Sequence, residues 1–135
     1  MPLILVRHAS AGDREKWTGD DRDRPLDEKG RRRAQKLIGR LEAYEIDEIH
    51  TSPALRCVQT IEPLAEALEL ALLLRAELTE ERQWRDGDAL LRTFAGSNVV
   101  VCGHGGLDAP LLDAPKWKKG TAFVLDRELR VIEVL

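Results

Sequence analysis

The sequence predicts an α/β fold, a three-layer α/β/α sandwich with a mostly parallel central sheet and an antiparallel edge. Three observations predict it. The runs Leu3-Ile4-Leu5-Val6 and Val99-Val100-Val101 are continuously apolar rather than alternating, the pattern of strands buried on both faces. Before the second of them, strand-like runs alternate with segments of helical periodicity, which implies a sheet covered on both faces. At the end of the sequence, Thr121–Leu125 and Leu129–Val134 flank the short polar link Asp126-Arg127-Glu128, as in a hairpin at a sheet edge.

The first strand ends at Arg7-His8, and Ala9 to Arg24 reads as a charged loop with Gly12 and Gly19 and one helical turn. Asp27 then caps a helix running to about Tyr44, with Ala34, Leu37, Ile38 and Leu41 as its buried stripe and Arg31, Arg32 and Arg33 on the solvated side. Ile46–His50 is a second strand. Ser52 as N-cap and Pro53 at the first helical position mark the next helix, which places Arg56 in its first turn. Pro63 falls inside the continuing apolar pattern and is expected to kink or break it. Leu70–Leu74 reads as a third strand, or as an extension of that helix. Leu78–Arg82 is a loop entering a short helix over Gly87–Phe94. Asn98–Cys102 is the clearest buried strand, and Gly103-His104-Gly105-Gly106 follows it.

Composition bounds the function. With 135 residues, 43% of them apolar and 33% charged, the sequence fits one globular domain, residues 1–135. A net charge of −3 supplies no global field for nucleic acid or anionic membrane, so any anion site is local. With no basic leader and no apolar span of membrane length, a cytoplasmic protein is expected. Cys57 and Cys102 lack CxxC spacing and read as reduced, buried, small apolar residues. His8, His50 and His104 form no HxxxH or HExxH pattern, so neither a metal site nor another cofactor is expected.

The candidate chemistry lies at strand ends. In open α/β sheets ligands bind outside the carboxyl ends of the strands, and Arg7-His8 and His104 fall there. Arg56, near a helix N-terminus, suits an anion held by the positive end of the helix dipole. A guanidinium grips a phosphate in bidentate fashion and biases a neighbouring imidazole towards its neutral, nucleophilic form. Two histidines and two arginines with an acidic loop suit phosphoryl transfer, in which an imidazole attacks phosphorus and a carboxylic acid protonates the leaving oxygen. Gly105, among the glycines around His104, lets backbone approach a ligand closely. Trp17 and Arg24, with Arg14 and Lys16, are candidates for a basic and aromatic wall beside the site. Rival phosphatase chemistries fail on residues: six positions after Cys57 and Cys102, where Cys-x5-Arg enzymes carry arginine, stand Pro63 and Asp108.

Arg7-His8-Ala9 resembles the Arg-His-Gly signature of the histidine phosphatases, the phosphoglycerate mutase-like superfamily. Ser52-Pro53-Ala54-Leu55-Arg56-Cys57-Val58-Gln59-Thr60 is similar to its Ser-Pro-x-x-Arg-x-x-Gln-Thr helix, and Val100–Gly106 to its second histidine motif. The resemblance implies a phosphoglycerate mutase-like fold and metal-independent phosphatase activity through a phosphohistidine on His8. It further implies that Arg7, Arg56 and His104 bind the phosphoryl group. Glu80 is the implied proton donor, with Glu81-Arg82 as the competing placement. Ala9 stands where glycine is usual, as in the small SixA-like phosphohistidine phosphatases.

Two substrate classes follow. The small size and open site suit phosphate on something large, a phosphohistidine protein, as in the SixA-like branch. The loop Trp17–Asp27, the segment Leu78–Glu81 and Lys119-Gly120-Thr121 resemble instead the phosphatase halves of two-domain Nudix hydrolases that clear oxidised guanine nucleotides, which points to a small phosphoester or nucleotide. The expected partner is therefore a phosphorylated substrate, with no nucleic acid polymer and no membrane. The reading from another class is a non-catalytic phosphate-binding module that kept the fold.

Overall fold

The computed structural model describes residues 2–135, and among them a six-stranded sheet lies between helices in an α/β/α sandwich. The strands are β1 (Leu3–Arg7), β2 (Glu48–Thr51), β3 (Leu72–Leu74), β4 (Val99–Gly103), β5 (Ala122–Leu125) and β6 (Val131–Val134), in the order β3-β2-β4-β1-β5-β6. β1 to β4 run parallel, while β5 pairs antiparallel with β1 and β6 antiparallel with β5. The mostly parallel sheet with an antiparallel edge is the one the sequence predicts.

The continuous apolar runs explain the layering, because successive strand side chains point to opposite faces. Ile4 and Val6 of β1 pack with Val100 and Cys102 under α1 (Glu28–Leu41) and α2 (Leu55–Leu68). Leu3 and Leu5 pack with Val99, Val101 and Phe123 under α3 (Gln83–Phe94). Leu3, Ile4, Leu5 and Val6 of β1 are fully buried, and burying each contributes about 1.5–3 kcal/mol.

Asp27 caps α1 as predicted, accepting from the Gly30 N–H at 2.7 Å. The same carboxylate accepts from Ser10 Oγ at 2.6 Å and from the Gly12 N–H, so the cap also ties down the loop after β1. A Cβ at Gly30 would run into the Ser10 carbonyl, so glycine allows α1 to lie against that loop. α1 ends at Leu41, short of Tyr44, where its buried stripe of Ala34, Leu37 and Leu41 ends; Ile38 is only half-buried. Arg33 is not a solvated residue, since its Nε donates to the Gly120 carbonyl at 2.7 Å.

Three helix expectations need correction. α2 begins at Leu55 with Ala54 as N-cap and no side-chain cap; the hydroxyl of the buried Ser52 lies 2.9 Å from His104 Nε2 and accepts from the Ala54 N–H at 3.3 Å, ahead of the helix. Pro63 does not break α2, which runs on to Leu68; Ile61, Leu64 and Ala65 pack this stretch against the sheet, and that packing outweighs the lost backbone donor. α3 starts four residues earlier than Gly87, its first turn pinned by an Arg82–Asp86 ion pair at 2.8 Å. Leu72–Leu74 is a strand, not an extension of α2, and the C-terminal hairpin forms with Asp126 accepting from the Glu128 and Arg130 N–H groups. Among the described residues no helix is long and apolar enough to cross a membrane.

Candidate active site

Parallel register brings the candidate residues to one rim. Val6 and Thr51 both align with Cys102, so Arg7-His8, Ser52 and Gly103-His104 leave the sheet at one level. The His8 N–H donates to the Gly103 carbonyl at 3.0 Å, extending the β1–β4 ladder by one residue. The His8 and His104 rings then lie 5.5 Å apart, edge to face.

His8 is buried, and its Nδ1 lies 2.8 Å from the Ala9 carbonyl. A carbonyl only accepts, so Nδ1 carries the proton and Nε2 keeps its lone pair. Burial pushes the imidazole down to about 3, against the hydrogen bond to Ala9, and the charges of His104, Arg56 and Arg7 push the same way. The ring is therefore neutral at physiological pH. Thr60 Oγ1 accepts from the Ala9 N–H at 2.9 Å and donates to the Arg56 carbonyl at 2.7 Å, linking the loop after β1 to α2.

His104 is held by different means. Its Nε2 lies 2.9 Å from Ser52 Oγ and 3.6 Å from the sulfur of Cys57, while its backbone N–H donates to Gln83 Oε1 at 3.1 Å. The other end of Gln83 donates from Nε2 to the Gly105 carbonyl at 2.9 Å. Cys57 and Cys102 are free and buried. His50, in contrast, sits under Phe94 with Nε2 near Glu48, away from this group.

Both arginines are fixed. Arg7 donates from Nη1 to the Trp117 carbonyl at 2.7 Å, and its guanidinium lies flat enough on Gly105 that a Cβ there would come to 3.0 Å. Gly105 thus makes room for Arg7 itself. Arg56 is 1% exposed, so its charge needs partners inside the protein. It donates to the Asp21 carbonyl at 2.8 Å and to Glu80 Oε1 at 3.0 Å. The Nε groups of Arg7 and of Arg56 are buried without a hydrogen-bond acceptor among the described residues.

Glu80, rather than Glu81, makes the ion pairs at this rim: 3.0 Å to Arg14 and 3.0 Å to Arg56. Burial alone would raise its carboxyl, but the hydrogen bond from Arg14 and the charges of His104, Arg14 and Arg56 hold it below the usual carboxylate range. Glu80 also borders two cavities. One, of about 420 Å³, contains Arg7, His8, Arg14, Gly105 and Lys119; the other, of about 540 Å³, is lined by Asp20–Asp23, Ser52–Arg56, Thr79, Glu81 and His104. Arg24 is buried behind the first, spent on Asp21 and the Ala11 carbonyl at 2.6 Å. Trp17 is not brought to the group; it lines a separate shallow hollow and donates to the Asp20 carbonyl.

Sequence reasoning passed over Gln83, Ser52 as a side chain of the site, and Thr60. Ser52 and Thr60 lie within the motif that carried Arg56, so their proximity was available there. Gln83 had no local signal, since it acts through backbone groups two elements away. No group of three or more His, Cys, Asp or Glu among the described residues is arranged to hold a metal ion.

The model of the histidine phosphatase superfamily (branch 1) matches residues 3–86. An 8-oxo-(d)GTP phosphatase of Mycolicibacterium smegmatis is 40% identical over 108 residues, 76% of this chain and 34% of that protein. An uncharacterized protein of a Picosynechococcus strain is 42% identical over 69 residues, 50% of this chain and 41% of that protein. The chain thus spans well under half the length of these curated relatives. Among solved structures, the protein histidine phosphatase SixA complexed with tungstate superposes with a TM-score of 0.81 at 22% identity, covering 100% of this chain and 96% of that one. A mycobacterial glucosyl-3-phosphoglycerate phosphatase with VO3 gives 0.70 at 18% identity, covering 96% and 94%. These two show a shared fold. Fold, motif order and the matched family model agree that this chain belongs to the histidine phosphatase superfamily.

Proposed function

We propose that the chain is a phosphatase that carries the phosphoryl group transiently on Nε2 of His8. The observation that supports this most directly is the tether of His8 Nδ1 to the Ala9 carbonyl, which leaves a neutral imidazole with its lone pair on Nε2 beside two arginines. The buried, acceptor-free Nε groups of Arg7 and Arg56 support an anion as their partner.

In the first step the Nε2 lone pair attacks phosphorus, the bond from phosphorus to the leaving oxygen breaks, and that oxygen takes a proton from Glu80. Arg7, Arg56 and His104 neutralise the charge on the equatorial oxygens. In the second step water attacks the phosphohistidine, its proton passes to the Glu80 carboxylate, and neutral His8 and orthophosphate are released. Glu80 starts ionised because Arg14 and Arg56 hold it. A bound phosphoryl dianion takes up the charge of Arg56 and adds negative charge beside the carboxyl, and both changes favour the acid form that the first step needs.

For the substrate we favour a small phosphoester or nucleotide. A carboxyl placed against Arg56 supports poor leaving groups, which the nitrogen of phosphohistidine is not. The relative that is 40% identical is an 8-oxo-(d)GTP phosphatase. A phosphohistidine protein is the second reading, favoured by the open mouth, where the side chains of Arg14 and Glu80 are 57% and 41% exposed. A panel of an aryl phosphate, guanosine mono- and diphosphates and a phosphohistidine protein, assayed with EDTA present, tests both. Turnover of the aryl phosphate and the nucleotides is expected. Turnover of the phosphohistidine protein alone selects the second reading, and phosphate binding without any turnover returns the chain to a binding module.

A further inference from the structure

We propose that Lys119 makes a subsite for a second phosphate, so that the site prefers a substrate in which the transferred phosphoryl group is joined to another phosphate. The inference rests on the phosphatase reading above and assigns what lies beside the transferred group.

The two cavities bordered by Glu80 differ in charge. The one that holds His8 has Arg7, Arg14, Arg24 and Lys119 against Asp13 and Glu80, while the other has Asp20, Asp21, Asp23, Glu80 and Glu81 against Arg22 and Arg56. A chain of two phosphates is attracted by the first and repelled by the second. Within the first cavity the cations are not equally available. Arg7 is bound to the Trp117 carbonyl, Arg14 is paired with Glu80 and Asp21, and Arg24 with Asp21. Lys119 is exposed, and among the described residues its ammonium has neither an ion pair nor a hydrogen bond.

Its backbone is nevertheless fixed to the catalytic strand end. The next N–H, that of Gly120, is shared between the Arg7 carbonyl at 3.0 Å and the His8 carbonyl at 3.1 Å, and the Gly120 carbonyl accepts from Arg33. Gly120 has φ +75, and a Cβ there would press on Arg33, so glycine is what lets the chain turn here. The result is a free cation on a tethered stem, one residue from a main-chain bond to the nucleophile. One charge-assisted hydrogen bond from such a group is worth about a tenfold or greater preference.

The test compares binding of orthophosphate and inorganic pyrophosphate by calorimetry, for the unmodified protein, Lys119→Ala, Lys119→Arg and, as a neighbouring lysine outside the cavity, Lys118→Ala. The unmodified protein and Lys118→Ala should bind pyrophosphate about tenfold more tightly than orthophosphate. Lys119→Ala should lose most of that preference, and Lys119→Arg should keep it. Added salt should shrink the preference in the unmodified protein, because the ammonium is exposed. Initial rates with guanosine diphosphate against guanosine monophosphate should move in parallel, separating a nucleotide source of the second phosphate from pyrophosphate itself. Orthophosphate binding without any pyrophosphate preference, or a preference that survives Lys119→Ala, overturns the subsite while leaving the phosphatase reading intact. Binding of neither anion overturns both.

Discussion

The ends of β1 and β4 each carry a buried histidine, and the two rings are neighbours, yet their surroundings prepare them for different work. His8 is tied by one nitrogen to a backbone carbonyl, an interaction that fixes the tautomer and leaves the other nitrogen without a hydrogen-bond partner among the described residues. His104 is engaged at Nε2 by Ser52 and Cys57, and its backbone is clamped by Gln83. The position at a strand end is shared; the rings differ in the partner of the second nitrogen, and the roles proposed for His8 and His104 rest on that difference. The difference also explains the outlay of supporting residues. Thr60 and Gly120 hold the backbone around His8, whereas Ser52, Cys57 and Gln83 hold the ring and backbone of His104.

Substitutions sharpen the contrast. Removing the His8 ring by His8→Ala should lower kcat by roughly 10⁴-fold or more, because the covalent route disappears. His104→Ala removes charge stabilisation but no reacting atom, so a smaller loss, of roughly 10²–10³-fold, should be seen under the same steady-state conditions. Equal losses at the two positions would break the comparison. Next in size is Glu80→Gln. It should slow an alkyl or sugar phosphate by roughly 10²–10⁴-fold and an activated aryl phosphate much less. Equal slowing of both substrates would make Glu80 a binding group.

Smaller still is Ser52→Ala, which frees one side of the His104 ring. Loss of one buried neutral hydrogen bond predicts about a fivefold fall in kcat/KM and a lowered melting temperature, because His104 and the Ala54 N–H lose a partner inside the protein. On the His8 side, Asp27→Ala unties both the α1 cap and the loop that follows His8, and thermal unfolding should report a loss of about 0.5–2 kcal/mol.

Acid acts on His8 in a defined direction. The buried ring titrates near 3 and the unfolded one near 6.5, so the unfolded chain binds the extra proton first. The stability contributed by a neutral His8 is complete above pH 6.5 and is lost progressively as pH falls to about 3. The kinetic limb from His8 protonation should likewise fall near 3, not near 6.5. A limb near 6.5 that vanishes in a His8 variant active enough to measure would show an exposed, ordinary imidazole.

Much of this arrangement was legible in the sequence because it is written in local patterns. Continuous apolar runs set β1 and β4, Asp27 announced the start of α1, and the polar turn after Leu125 announced the antiparallel edge. Arg7, His8, Arg56 and His104 sit where strand and helix ends meet, so periodicity alone brought them to one rim. What stayed illegible depends on contacts distant in sequence. Ser52 looked like a helix cap because its partner, His104, lies 52 residues away. Gln83 drew no reading because its partners are backbone groups after β4. Pro63 looked like a helix breaker because local rules omit the sheet that holds α2 in place. Trp17 looked like part of the wall because charge and aromaticity in a loop do not say which way a side chain turns.

The central claim is that His8, and not its neighbour across the rim, carries the phosphoryl group. Acid-labile phosphoramidates survive alkaline quenching, so the direct measurement is a rapid alkaline quench during turnover of a ³²P-labelled aryl phosphate, followed by peptide mapping. The account predicts one label per active site, stable to alkali and lost in acid, on the peptide containing His8, with the Nε2 isomer in its phosphorus resonance, and no label in His8→Ala. Label on the His104 peptide, or full turnover by His8→Ala, would contradict it.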